Sequence, residues 1–191
     1  MVVKNLISAA VTGLFLSASV GPAPAAAQQP KSLASDSVFL QRAGSAGLLQ
    51  VKLGQLAEKK GSSPAVVEFG KRMVTDYSKV NDELKAAAKV AGYPAPVLLR
   101  QDQQIFDRFQ GKGRSSFDKA YMAQVVAQHN EEVRLFKGES AGGRVQSLKQ
   151  LAARMLPDTE QRLSLATETA GSVGVDVTAS SAAASQGSAT N

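Results

Sequence analysis

Cysteine is absent from the 191-residue chain, and that single absence removes several chemistries. No disulfide can staple the fold, no thiolate can act as a nucleophile, and no thiolate metal site can form. Any domain here must be held by its core. Histidine is almost as scarce, since His129 is the sole imidazole. No Gly-x-Ser-x-Gly elbow is expected and no nucleophile is evident beside His129, so hydrolase-type catalysis is not expected. A glycine-rich phosphate cradle is missing, as are period-two strand patterns and internal repeats. No basic cluster alternates with stacking aromatics, so nucleic acid is not an expected partner.

What is present begins with a leader. Residues 1–27 read as a secretory signal: Lys4 supplies the positive start, residues 6–20 are apolar and uncharged, and Ala25-Ala26-Ala27 fits a small-residue cleavage site. The apolar run is shorter than the ~20 residues a spanning helix needs, and no later stretch is apolar enough to span. The mature protein is therefore expected to be exported without a transmembrane segment, and to be periplasmic in a Gram-negative source. The formal net charge is +6, but acidic residues are interspersed among the basic ones, the pattern of a solvated helix surface. A sharper reading of that charge is a weak attraction to anionic envelope polymers.

The organisation follows from period and punctuation. Residues 28–34 form a polar leader. Residues 171–191 are Ala, Ser, Thr and Gly with one charge, Asp176, too little apolar bulk to offset ordering entropy, and read as a disordered tail. Between them, residues 35–170 carry a helical period throughout. Helices are predicted over 36–60, with Ser35 as N-cap and Gly61 after the end; over 64–91, from Ser63-Pro64 to Gly92; over 98–109, after the extended Tyr93-Pro94-Ala95-Pro96; over 116–137, before Gly142-Gly143; and over 145–169, with Pro157 expected to kink or restart the last one near Leu156. The expected fold is all-α, a ferritin-like antiparallel four-helix bundle with a short extra helix in the central crossover.

At about 100° per residue, several polar side chains fall within the apolar stripes. Gln50 lies in the first stripe, Tyr77 in the second, His129 and Glu132 in the fourth, and Arg162 on the flank of the last, beside inward Leu148, Leu151, Met155 and Leu163. A di-metal site in such a bundle takes paired carboxylates and Glu-x-x-His spacings, whereas Val126 stands three residues before His129. No metal or other cofactor is expected; if any metal bound, His129 and Glu132 would be its ligands. The five residues are expected to form an inward polar network in which buried groups satisfy one another.

The runs Phe39-Leu40-Gln41-Arg42-Ala43, Leu53-Gly54-Gln55-Leu56-Ala57, Phe69-Gly70-Lys71-Arg72-Met73-Val74-Thr75-Asp76-Tyr77 and Phe117-Asp118-Lys119-Ala120-Tyr121, with His129 and Leu156-Pro157, resemble the domain of unknown function 4142 family. The resemblance covers residues 36–170. It implies an exported bacterial protein with a ferritin-like helical bundle and supplies no reaction. It also implies Glu at the place of Gln50 and His at the places of Tyr77, His129 and Arg162, so this chain keeps one of four. The expected role is a non-catalytic envelope or stress-associated protein whose partner is another envelope component or a second copy. The rival readings are a metal-binding ferritin-like protein with a reduced site and a binding module for anionic envelope polymers.

Overall fold

The computed structural model describes residues 33–176, with side-chain surroundings from Ser35 onward. The signal, most of the leader and most of the tail lie outside the described residues. All regular structure among the described residues is helical: α1 is Leu33–Lys60, α2 Pro64–Val90, α3 Arg100–Gln110, α4 Phe117–Gly142 and α5 Gln146–Ser172, with a 3₁₀ turn, Arg114–Ser116, ahead of α4.

Local chemistry sets both ends of α2. Ser63 is extended and Pro64 opens α2, where a missing N–H costs nothing. The Asp118 carboxylate accepts the N–H groups of Ser62 and Ser63, at 2.7 Å from Ser63, and ties the α1–α2 loop to the start of α4. Gly92 ends α2 at φ +75°, while the Tyr93 N–H reaches back to the Ala88 carbonyl at 2.8 Å. That is the left-handed cap that glycine adopts without strain.

Four expectations need correction. Ser35 is not an N-cap, because α1 already begins at Leu33. α4 continues past Lys137 to Gly142, since Glu139 in its final turn is buried against neighbouring chain. α5 extends two residues beyond Ala170 and closes on Gly174 at φ +73°, so the tail does not start at Gly171. Pro157 neither ends nor restarts α5. It is exposed, as is Ala153, whose carbonyl loses its helical partner, so that carbonyl faces water.

The four long helices surround one core. α1 packs along α2 and α4 along α5, while α1 also meets α3 and α4, and α2 meets α5. The core is built from Phe39, Leu53, Met73, Leu84, Phe117, Tyr121, Phe136 and Leu148, with Phe39 set edge-on to Phe136 at 5.2 Å. Leu163, expected inward, is half-buried, because the buried face of α5 is centred on Met155, Thr159, Arg162 and Ala166. Ser45 of α1 positions the crossover: its hydroxyl accepts the Leu99 N–H at 2.8 Å and donates to buried Asp102 in the first turn of α3.

α1 and α2 come into close backbone contact at two glycines. A Cβ on Gly54 would lie 2.7 Å from the Gly70 carbonyl oxygen. Gly54→Ala gains about 1 kcal/mol of helix propensity, but the obstacle is backbone and cannot swing aside. Overpacking costs of about 1–3 kcal/mol outweigh that gain, so the variant is expected to melt lower than wild type by circular dichroism. An unchanged or raised midpoint would mean that the two helices separate freely at this crossing.

Candidate functional site

α2, α4 and α5 each deliver polar groups to one place inside the fold. Tyr77 follows Met73 by one turn on the buried face of α2. His129 and Glu132, three residues apart, share the buried face of α4. Arg162 follows Thr159 by three on α5. All are buried, His129 and Tyr77 completely. Gln50 of α1 is buried too, but its amide donates to Gln128 at 3.2 Å, and no hydrogen bond among the described residues joins it to the other four.

The geometry fixes most protons. His129 Nδ1 lies 2.9 Å from the Val125 carbonyl, which can only accept, so Nδ1 carries a hydrogen. Burial lowers the His129 pKa to about 4, with the Val125 bond opposing that shift and the Arg162 charge reinforcing it. The ring is therefore neutral near pH 7 and Nε2 is bare. Nε2 sits 3.1 Å from the Tyr77 hydroxyl. That hydroxyl donates to Glu132 Oε2, and its own pKa is raised well above the ordinary value by burial and then by Glu132. Burial pushes Glu132 up to about 6, against the Tyr77 hydrogen bond and the Arg162 charge.

One hydroxyl proton thus serves two acceptors. With Glu132 ionised, Tyr77 donates to it and His129 Nε2 faces an oxygen that has no second hydrogen to give. With Glu132 protonated, a one-way chain closes: Glu132 donates to Tyr77, Tyr77 to His129 Nε2, and His129 Nδ1 to Val125. Arg162 completes the cluster from α5. Its guanidinium carbon stands 5.2 Å from the Tyr77 ring centre, a cation–π distance, and Nη2 donates to Thr159 Oγ1 at 3.1 Å. The placement on the flank of α5 is corrected: Arg162 is within its buried face. Tyr121, stacked on Phe117, has its hydroxyl buried without a partner among the described residues.

Among the described residues no group of three or more His, Asp and Glu side chains could hold a metal ion. His129 and Glu132 meet through the Tyr77 hydroxyl instead. The expectation that the chain holds no Gly-x-Ser-x-Gly spacing is corrected: Gly138-Glu139-Ser140-Ala141-Gly142 spells it. The elbow requires a sharp strand-to-helix turn, whereas these residues are the last turns of α4. The Ser140 hydroxyl is spent on the Lys137 carbonyl at 2.9 Å. Eleven residues of helix, about 16 Å of rise, separate it from His129.

Further buried polar residues were legible in principle. Asp36 precedes Phe39 by three, Glu139 follows Phe136 by three, and Thr159 follows Met155 by four, all on faces already marked by apolar residues. Asp36 accepts the Arg144 and Val145 N–H groups at 3.0 and 3.2 Å, anchoring the start of α5. Glu139 is pushed up to about 7, first by burial and then by Asp36.

The family described as a domain of unknown function, DUF4142, matches residues 21–169. The chain belongs to this family. No curated protein and no solved structure matches it. Within this DUF4142 member, the places where the resemblance implies imidazoles hold Tyr77 and Arg162, and both adjoin His129 or its partner, with the Tyr77 and His129 rings 5.8 Å apart and edge-on. None of the described helices is long and apolar enough to cross a membrane.

Proposed function

We propose that this DUF4142 member is an exported, non-catalytic protein of the cell envelope, folded as an antiparallel four-helix bundle of ferritin-like type, that acts by contact with another envelope component or a second copy of itself. The observation that carries this reading is the state of His129. Both ring nitrogens of the sole imidazole lie at hydrogen-bond distance from groups of the fold, Nδ1 from Val125 and Nε2 from Tyr77, and the residue is fully buried. A substrate or metal ion would have to break that packing to reach it. Residues 1–27 support export. Opposite contact registers support the antiparallel arrangement: Gly47 faces Asn81 while Gly54 faces Gly70, and Lys137 pairs with Glu160 while Lys149 reaches Ala141.

The test uses protein purified without chelator. Elemental analysis is expected to find no stoichiometric transition metal, and added zinc or iron is expected to leave the melting temperature unchanged. Stoichiometric metal that is lost in His129→Gln would overturn the reading, as would robust turnover of any substrate. Fusing residues 1–27 to a reporter tests export separately, and a reporter kept in the cytosol would remove the envelope assignment.

A further inference from the structure

A groove of about 460 Å³ lies between α2 and α5, lined by residues that include Arg72, Asp76, Lys79, Glu83, Arg154, Asp158 and Arg162. Its volume is in the range of small-molecule sites. Arg162 reaches it from the core: the residue is 7% exposed, yet it contributes to the lining. Arg162 forms no ion pair among the described residues, and its Nε has no hydrogen-bond partner there. The guanidinium is held by the Tyr77 ring face and the Thr159 hydroxyl, and the Glu132 carboxylate feels its charge without pairing with it. Nε is closed off in the core, so only the part of the side chain that lines the groove is open to a ligand. Its planar fork suits a carboxylate or a phosphate.

The surrounding charges choose between them. Arg72 pairs with Asp76 at 3.3 Å and Arg154 with Glu83 at 3.8 Å. Arg162, Lys79 and Asp158 remain. The three carboxylates of the lining oppose a polyanion, and the net excess is a single positive charge. Asp158 lies four residues before Arg162 on α5, which places the two on one face with Cβ atoms about 5–6 Å apart. An acid and a base at that spacing match the two ends of a small zwitterion. We infer that the α2/α5 groove binds a free amino acid or dipeptide, its carboxylate on the Arg162 guanidinium and its ammonium group toward Asp158. This inference goes beyond the envelope role and does not rest on it.

The test is a titration of the ¹⁵N-labelled protein with L-alanyl-L-alanine, followed by amide chemical shifts. Saturable shifts are expected in α2 and α5 around the groove. The same dipeptide capped at both ends, and so uncharged, is expected to give none. Arg162→Gln is expected to raise the dissociation constant at least tenfold and Asp158→Asn several-fold, with helical circular dichroism retained. Asp158 is exposed, so its variant keeps the test intact where Arg162→Gln fails to fold. Absence of saturable shifts, equal binding by the capped peptide, or unchanged affinity in Asp158→Asn would overturn the proposal. Inorganic phosphate binding more tightly than the dipeptide would overturn it too, in favour of a simple anion site.

Discussion

Tyr77→Phe is expected to lower the melting temperature by on the order of 10 °C at pH 8, and by clearly less at pH 5. The variant keeps the ring, so the contacts with Arg162 and with the edge of His129 survive, and no large cavity opens. What disappears is the hydroxyl that donates to ionised Glu132 or, where Glu132 is protonated, links it by weaker neutral bonds to His129. A buried charged acceptor deprived of its donor costs about 1.5–3 kcal/mol, and at this chain length each kcal/mol moves the midpoint by roughly 3–4 °C. The pH trend follows from the sign of the Glu132 shift. Its folded pKa, about 6, already lies above the ordinary 4.5, so the folded state holds this proton more tightly than the unfolded one. The stabilisation from that proton is fully present below pH 4.5 and is lost as pH rises through the folded value. The Tyr77 hydrogen bond restrains the shift, so removing it raises the folded pKa further, and the penalty is complete only where Glu132 is ionised. His129, with its pKa lowered to about 4, stays neutral in the folded state across most of this range and cancels between the two proteins. Thermal melts at pH 5 and pH 8 measure the difference. An equal loss at both pH values would mean that Glu132 does not depend on Tyr77.

The path from sequence to this cluster was short for some residues and closed for others. Periodicity placed Tyr77, His129 and Glu132 on inner faces because each sits one turn from an apolar residue of its own helix. It placed Arg162 only on a flank because Leu163 counts as inward by its chemistry and shifts the stripe, whereas Met155, Thr159, Arg162 and Ala166 repeat at four, three and four and put Arg162 within the buried face. Gln50 was read correctly as inward, but its partner Gln128 comes from α4 and is only half-buried. The helix ends erred where tertiary contacts outweighed local signals. The predicted end of α4 at residue 137 falls short of the Gly142-Gly143 break, because the turn between them is held by Glu139 against Asp36 of α1. Pro157 suggested a kink or a restart, and α5 does not restart there because the missing hydrogen bond falls on the solvent side. Asp36 and Glu139 were passed over because charged residues at helix ends normally face water, and only the folded chain brings the two together across more than a hundred residues.

Asp36→Ala is expected to cost about 3 kcal/mol, and the cost is expected to run with pH in the opposite sense to that of Tyr77→Phe. Asp36 is fully buried and accepts two backbone N–H groups at the entry to α5. Losing charge-assisted acceptors costs about 1.5–3 kcal/mol each, moderated here because an opened junction admits water to those amides. Asp36 also faces Glu139, whose pKa of about 7 is due first to burial and then to Asp36. The Tyr93 hydroxyl feels both carboxylates, but its pKa is raised above 10, outside the pH range concerned. Between pH 4.5 and 7 the folded wild type binds the Glu139 proton more tightly than the unfolded chain does, so this group's stabilisation is lost as pH rises through 7. Removing Asp36 lowers the Glu139 pKa toward its ordinary value and relieves like-charge repulsion at pH 8. The variant therefore loses most at pH 5, where protonated Glu139 leaves no like-charge repulsion to relieve, and loses less at pH 8. Paired melts of wild type and Asp36→Ala across that interval give the difference curve, and a ¹³C titration of the Glu139 carboxyl gives the shift directly. A flat difference curve, or a Glu139 titration unmoved by the substitution, would show that the two carboxylates act independently. Downward and upward pH trends from two variants of one fold would separate a carboxylate that depends on a hydroxyl donor from one that is opposed by a second acid.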